Sequence, residues 1–207
     1  VYLLSPNDPL TELNYGVDFG TRIMPDPLNP HQFVYPKDEE IPDDKEAAVS
    51  ILELPDAPPQ PWIAPRPNVA KGNVEMYRRH SPILNNERRV YIYTPPGYST
   101  SNKPYPLLLV FDGLAYIDLV PTPTILDNLI SEGKIPPLVA VLPDSLDQDT
   151  RNRELPCHQP FVDFLTQELL PWVHEHYSVT NDPAQTIVAG SSYGGLAAAF
   201  VGLRASE

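Results

Sequence analysis

Gly190-Ser191-Ser192-Tyr193-Gly194 spells G-x-S-x-G with Ser192 at its centre. It follows an apolar, β-branched run, Thr186-Ile187-Val188-Ala189, and precedes the helix-favouring stretch Leu196-Ala197-Ala198-Ala199-Phe200-Val201-Gly202-Leu203. In such a strand-turn-helix setting the pattern reads as a nucleophile elbow. The sharp turn needs small neighbours, which Gly190 and Gly194 supply, and holds the serine Oγ clear of the sheet. The backbone N–H of Tyr193 then points to where an oxyanion would form. The second oxyanion donor in such an architecture comes from the loop after an earlier strand. Gly113, directly after the apolar run Leu107-Leu108-Leu109-Val110-Phe111, is the candidate; it fits a plain strand-terminating glycine equally well. Asp112 reads as a residue that fixes that loop rather than one that performs chemistry.

A serine hydroxyl needs a general base, normally a histidine oriented by a carboxylate. In this motif's usual chain order the acid and the histidine follow the serine. Here His31, His80, His158, His174 and His176 all precede Ser192, and only Glu207 offers a later carboxylate. His158, in a loop after a strand, is the best placed of the five. His174 and His176 on one helix diverge, so they form no metal pair. No metal ligand set and no cofactor motif is expected. The base and its acid are therefore expected from a C-terminal part of the hydrolase domain outside this chain. Arg151-Asn152-Arg153-Glu154-Leu155 follows the strand ending at Leu142, where loops border active sites in open α/β sheets. Arg151 could clamp an anion there; a surface salt bridge to Glu154 or Asp144 is the alternative.

The elements that must position these groups are legible from Gly72 onward. Val74–Tyr77 and Arg89–Thr94 read as strands, joined by a reversal at Asn85-Asn86. Leu107–Phe111 and Leu138–Leu142 read as strands buried on both faces, with a helix over Pro123–Glu132 between them. Pro160–Tyr177 predicts the clearest helix, kinked at Pro171. Strand and helix alternation implies a parallel sheet with right-handed crossovers. The expected fold class is α/β: the N-terminal half of an α/β-hydrolase, an antiparallel hairpin then parallel βαβ units.

Of the 27 prolines in the 207 residues, eighteen precede Leu107, so the first half should be largely irregular. Residues 24–72 are expected to form a proline-rich linker lying against a surface, and 73–207 the hydrolase domain. Val1–Leu4, ended by Ser5-Pro6-Asn7-Asp8-Pro9, reads as the last strand of an earlier domain, 1–23. The net charge of −13 argues against a nucleic-acid or membrane-surface partner. Cys157 is the single cysteine, so no disulfide forms within these residues, which fits a reducing compartment. No apolar run is long enough to span a bilayer, and the first residues lack a signal-type pattern.

Several of these stretches resemble the bacterial enterochelin (enterobactin) esterases. Asp26-Pro27-Leu28-Asn29-Pro30 and Leu52-Glu53-Leu54-Pro55-Asp56-Ala57-Pro58 resemble the family's linker. Phe111-Asp112-Gly113, Arg151 to Cys157, Glu168-Leu169-Leu170-Pro171 and Gly190 to Gly195 resemble its hydrolase domain, and Ser5 to Leu10 the end of its N-terminal β-sandwich. The resemblance implies a cytoplasmic serine esterase that hydrolyses the trilactone of ferric enterobactin so that iron can be released, and thus a role in iron transport and homeostasis. The partner is then a ferric catecholate siderophore, and iron enters only as part of that substrate. Ser192 would be the nucleophile, Gly113 and Tyr193 the oxyanion donors, and Arg151 and Glu154 the substrate-side residues. The departures are the family's C-terminal part with its histidine and most of the sandwich. The rival readings are an esterase for carbohydrate-linked acyl groups and a non-catalytic siderophore- or glycan-binding module.

Overall fold

A computed structural model describes residues 1–6, 23–42, 44–101 and 103–205. The chain divides into two compact units, Val1–Pro59 and Gln60–Glu207. The division falls inside the stretch expected to be a continuous linker, and its first half carries structure of its own. β1 (Gln32–Tyr35) and β2 (Ala47–Ser50) pair antiparallel, with Gln32 opposite Ser50 and Tyr35 opposite Ala47. Among the described residues of this unit no apolar side chain is fully buried, and polar side chains tie its segments together. The Tyr2 hydroxyl donates to Asp26 Oδ2 at 2.8 Å, and Asn29 Nδ2 donates to the Ile51 carbonyl at 2.8 Å. Asp26 and Asn29 also accept from the backbone N–H groups two residues on, those of Leu28 and His31. These are Asx turns, which explains why Asp and Asn stand at those two places in the proline-rich motif. Tyr2 and Leu4 form isolated bridges to Ser50 and Met24 in place of the expected strand. The remainder of the expected sandwich end, residues 7–22, lies outside the described residues.

The second unit is an α/β sheet of five strands in the order β3-β4-β6-β5-β7. β3 (Asn73–Ser81) and β4 (Asn86–Thr94) form the expected hairpin, with Asn85 in the left-handed region at φ 51°. β4 pairs antiparallel with β6 (Val139–Pro143). β5 (Leu107–Val110) lies parallel to both β6 and β7 (Thr186–Ala189). Strand alternation splits the core. Val90, Ile92, Leu107, Leu109, Val139 and Val141 face one layer of helices. Tyr91, Tyr93, Val110, Ala140 and Leu142 face the other, where Leu126 packs.

Among the described residues six α-helices accompany these strands: α1 (Gly113–Asp118), α2 (Thr122–Ser131), α3 (Gln148–Glu154), α4 (Gln159–Phe164), α5 (Leu170–His176) and α6 (Tyr193–Arg204). Two expectations change. α1 begins at Gly113, where the sequence predicts a loop, and α3 takes up the arginine-bearing loop. Asp147 caps α3 by accepting from the Thr150 N–H at 2.7 Å. Just before Pro171, where a kink is predicted, the helix departs from α geometry. A π-helical turn, Leu165–Leu169, sits between α4 and α5, and Pro171 falls in the first turn of α5. A proline there cannot donate to the fourth carbonyl back and its ring crowds it; the widened turn relieves both.

Two buried polar ties lock the sheet to its surroundings. The Arg88 guanidinium lies 4.9 Å from the Phe164 ring centroid and donates to Glu154 at 2.6 Å, to the Asp144 carbonyl and to Asn86. Glu154 also accepts from Asn86 Nδ2 at 2.9 Å. On the other face, Asp127 of α2 accepts from the Tyr93 hydroxyl at 2.7 Å and from the Gly72 N–H at 2.8 Å. Burial, and then this bond to a carboxylate, push the Tyr93 phenol pKa upward. Beside it, Asn128 donates to the Trp62 and Ala64 carbonyls, and Glu132 accepts from Trp62 Nε1 at 3.0 Å and Arg66 Nη1 at 2.6 Å. Those bonds hold the Glu132 carboxyl pKa below its usual range.

Glu154→Ala should cost about 3–5 kcal/mol of stability, because it strands a buried guanidinium, whereas Glu154→Gln should cost less. Urea unfolding of the two variants against wild type measures this. Asp127→Ala should cost about 1–3 kcal/mol by leaving the Tyr93 hydroxyl and the Gly72 N–H without their acceptor, whereas Tyr93→Phe should recover part of that loss in the double variant.

Candidate active site

The C-terminal ends of β6, β5 and β7 lie side by side, because all three strands run in the same direction. Val110 is registered with Ala189, and the Phe111 N–H donates to the Ala189 carbonyl at 3.2 Å. The segments that leave β5 and β7 therefore start next to each other. One begins with Asp112-Gly113, the other with Gly190-Ser191-Ser192. This adjacency brings the predicted oxyanion loop and the predicted elbow together.

Ser192 sits at φ 55°, ψ −123°, immediately before α6, and is exposed. For a residue with a Cβ this backbone region costs on the order of 1–3 kcal/mol. The tight reversal that follows is fixed by two hydrogen bonds, Gly194 N–H to the Ser191 carbonyl at 2.8 Å and Leu196 N–H to the Ser192 carbonyl at 3.1 Å. A Cβ at Gly190 would stand 2.4 Å from the Gly194 carbonyl carbon. Only hydrogen fits at residue 190, so the strand end and the helix meet backbone to backbone. Tyr193 is the first residue of α6, and Gly113 the first of α1. The N–H of a first helical residue has no acceptor within its own helix. Two such N–H groups thus issue from neighbouring strand ends beside the serine, and the α6 N-terminus adds its positive dipole end. Gly113 is buried, and a Cβ there would stand 2.3 Å from the Leu142 carbonyl oxygen of β6. The close backbone approach of α1 to β6 thus dictates glycine at residue 113.

Asp112 is the residue whose importance the sequence understates. It lies in the left-handed region at φ 63°, ψ 51°, which aspartate tolerates better than most residues. Its Oδ1 accepts from Ser145 Oγ at 2.7 Å and from Arg151 Nε at 2.7 Å, and its Oδ2 accepts from Arg151 Nη2 at 2.9 Å. Oδ2 also lies 3.2 Å from the place a Gly194 Cβ would take. Arg151 reaches Asp112 from α3 and stacks 5.6 Å from the Tyr193 ring centroid. Its hydrogen bonds to Asp112 outweigh partial burial and push its guanidinium pKa up. On α1, burial and then the Asp112 charge raise the Tyr116 phenol pKa. Next to Ser145 in the chain, Asp144 accepts from Arg89 Nη2 at 2.6 Å and from Nε at 2.9 Å.

Ser192, Gly113, Tyr193 and Arg151 are thus brought to one end of the sheet. Glu154 is not: its carboxylate is buried against Arg88, so the expected substrate-side position is corrected to an internal ion pair. Arg151 pairs with neither Glu154 nor Asp144 but with Asp112. Among the described residues no histidine is hydrogen-bonded to Ser192. His158 caps the start of α4 with its backbone carbonyl, and its buried Nδ1 meets no hydrogen-bond partner there. His176 Nδ1 is bonded to the Trp172 carbonyl at 2.8 Å. The described residues include no cluster of three or more metal-ligating side chains, and no helix long and apolar enough to cross a membrane.

Comparison with known proteins identifies the relatives of this chain. An esterase family model, described as "Putative esterase", matches residues 81–207. The iron(III) enterobactin esterase of Escherichia coli O6:H1 (strain CFT073) is 35% identical over 183 residues, covering 88% of this chain and 43% of that protein. The crystal structure of the enterobactin esterase FES from Shigella flexneri, solved in the presence of enterobactin, superposes with a TM-score of 0.71. It is 34% identical, over 89% of this chain and 45% of that one. A ferulic acid esterase from Anaeromyces mucronatus shares the fold at 21% identity and a TM-score of 0.62, over 75% of this chain and 63% of that one. The chain spans less than half the length of the curated enterobactin esterases it matches. With the family model covering more than half of its residues, this chain belongs to the esterase family and forms part of an α/β-hydrolase domain.

Proposed function

We propose that this chain carries the nucleophile and oxyanion hole of a serine esterase that opens the trilactone of ferric enterobactin or a related catecholate siderophore. The observation that carries the reading is Ser192 itself, exposed in a strained turn between two helix-initiating N–H groups. The Ser192 hydroxyl oxygen adds to a lactone carbonyl carbon while a general base takes its proton. The carbonyl oxygen becomes an oxyanion, received by the N–H groups of Gly113 and Tyr193. Collapse breaks the acyl C–O bond, and the departing alkoxide takes the proton back from the base. Water then repeats the sequence on the acyl-enzyme and frees Ser192. Each oxyanion donor is worth roughly 10²–10³ in kcat in comparable hydrolases.

The general base belongs, on this reading, to a part of the protein beyond these 207 residues, since the chain matches less than half the length of the curated enterobactin esterases and no described histidine is hydrogen-bonded to the serine. Iron enters as part of the substrate, and the protein itself needs no cofactor. The working place is the cytoplasm, where hydrolysis loosens the siderophore's hold on iron and so serves iron transport and homeostasis. The curated relatives named as iron(III) enterobactin esterases support the substrate class. One observation favours a second reading, an esterase for carbohydrate-linked acyl groups. The forked edge of Arg151 is already bound to Asp112, so it is not held ready for an anionic ligand. Product analysis of the full-length protein with ferric enterobactin, iron-free enterobactin and a feruloylated sugar separates the two. Release of dihydroxybenzoylserine species supports the first, and release of ferulate alone supports the second.

In the full-length protein Ser192→Ala should lower turnover by roughly 10³-fold or more, whereas Ser191→Ala should leave most of it. Ser191 contributes its backbone carbonyl to the turn, and a side-chain change leaves that bond in place. A fluorophosphonate probe followed by peptide mapping should mark Ser192; a label on Ser191 refutes the assignment.

A further inference from the structure

The residues around Ser192 include a feature at odds with its proposed chemistry. A carboxylate, Asp112, stands directly before one oxyanion donor and against the backbone next to the other. A developing negative charge on the substrate oxygen would be repelled by it. Its side chain is mostly buried, so solvent screens that repulsion poorly. We infer that Arg151 is a positioning residue: by neutralising and clamping Asp112, it lets one carboxylate fix the spacing of the Gly113 and Tyr193 N–H groups without opposing the oxyanion. The inference rests on the esterase reading of Ser192 and assigns Arg151 a place in the catalytic framework rather than in siderophore binding.

The geometry carries each part of the statement. Asp112 Oδ1 and Oδ2 receive Arg151 Nε and Nη2 at 2.7 and 2.9 Å, the parallel two-bond fork that fixes a guanidinium in one plane. Ser145 Oγ takes a further lone pair of Oδ1 at 2.7 Å, tying in the segment after β6. The Asp112 backbone is αL, so its main chain cannot relax without turning Gly113, its immediate neighbour, out of α1. On the other side Oδ2 abuts Gly194, and the guanidinium lies over the Tyr193 ring. Arg151 therefore touches the side chains on both flanks of the hole, Asp112 on one and Tyr193 on the other. A bidentate fork already committed to a protein carboxylate is poorly suited to recognising a substrate anion. It is well suited to holding two loops in register and cancelling a charge.

The test uses the full-length protein and two substrates, ferric enterobactin and a small neutral p-nitrophenyl ester. Arg151→Met keeps the apolar stem over Tyr193 and removes the charge. It should lower kcat on both substrates by similar factors, roughly ten- to a hundredfold, with KM little changed. Adding Asp112→Asn removes the stranded charge and retains an acceptor for Ser145. The Asp112→Asn/Arg151→Met double variant should recover about tenfold of the lost kcat on the neutral ester. Arg151→Lys restores charge without the fork and should fall between wild type and Arg151→Met; it serves as the test if Arg151→Met does not fold. A loss confined to ferric enterobactin and expressed in KM makes Arg151 a substrate clamp and overturns the inference. So does a double variant no faster than Arg151→Met. If the wild-type protein hydrolyses neither ester, the esterase reading itself fails. The brace is then judged by the crystal structure of Arg151→Met, where an unaltered separation of the Gly113 and Tyr193 nitrogens refutes it.

Discussion

The sheet end that carries Ser192 depends on one constraint, the backbone-to-backbone approach of β7's end to the first turn of α6. No side-chain atom fits at Gly190, because the Gly194 carbonyl carbon occupies the place of its Cβ. With that contact made, Ser192 has little choice but its strained left-handed conformation. The strain is sustained by what surrounds it: the parallel pairing of β7 with β5, the hydrogen bond from Phe111 to Ala189, and the first turn of α6. The same logic recurs at Gly113, where β6's backbone leaves no space for a Cβ. Two tight contacts, one on each side of β5, therefore bring two helix N-termini to one place. The site is a consequence of sheet topology before it is a matter of side-chain chemistry.

The charges at this end of the sheet follow a pattern the net charge conceals. Although the chain is strongly acidic, Asp144 and Asp112 at this sheet end are matched to Arg89 and Arg151, and Glu154, buried away from it, is matched to Arg88. Two of those arginines are neighbours on β4, and alternation sends them to opposite faces of the sheet. Arg88 enters the aromatic layer with Phe164, while Arg89 meets the end of β6. A buried pair of this kind adds little net stability over an apolar pair, but breaking it is costly. Here the two pairs tie β4 to α3 and to the segment that follows β6.

Much of this was legible in the sequence. The apolar runs of β5 and β6, the hairpin at Asn85-Asn86 and the strand-turn-helix around Ser192 stand where their patterns put them, because period and glycine placement encode local geometry directly. What was not legible depended on partners distant along the chain. Glu154 sits in a motif beside Arg151, and the spacing alone cannot reveal that Arg88, 66 residues earlier, claims its carboxylate. Asp112 reads as a loop residue until β5, α3 and the segment after β6 are assembled around it. Residues 24–59 read as featureless linker, because their described order comes from one short strand pair, Asx turns and single polar bonds that leave no hydrophobic period.

The two arginines of the R-x-x-E-L and β4 segments show why residue type does not settle role. Arg88 and Arg151 each hold a carboxylate and each lie over an aromatic ring. Their difference is depth. Arg88 is sealed in the core, with one nitrogen left without a partner among the described residues, and can act only on the fold. Arg151 remains partly exposed, beside Ser192's neighbour Tyr193, so its charge reaches the region where an ester carbonyl would lie. A cation at that depth contributes in two ways: it cancels the carboxylate that orders the loop, and it leaves the local potential near neutral. For an acidic protein proposed to process a negatively charged siderophore complex, neutralising the carboxylate beside the proposed oxyanion hole spares a developing negative charge its repulsion.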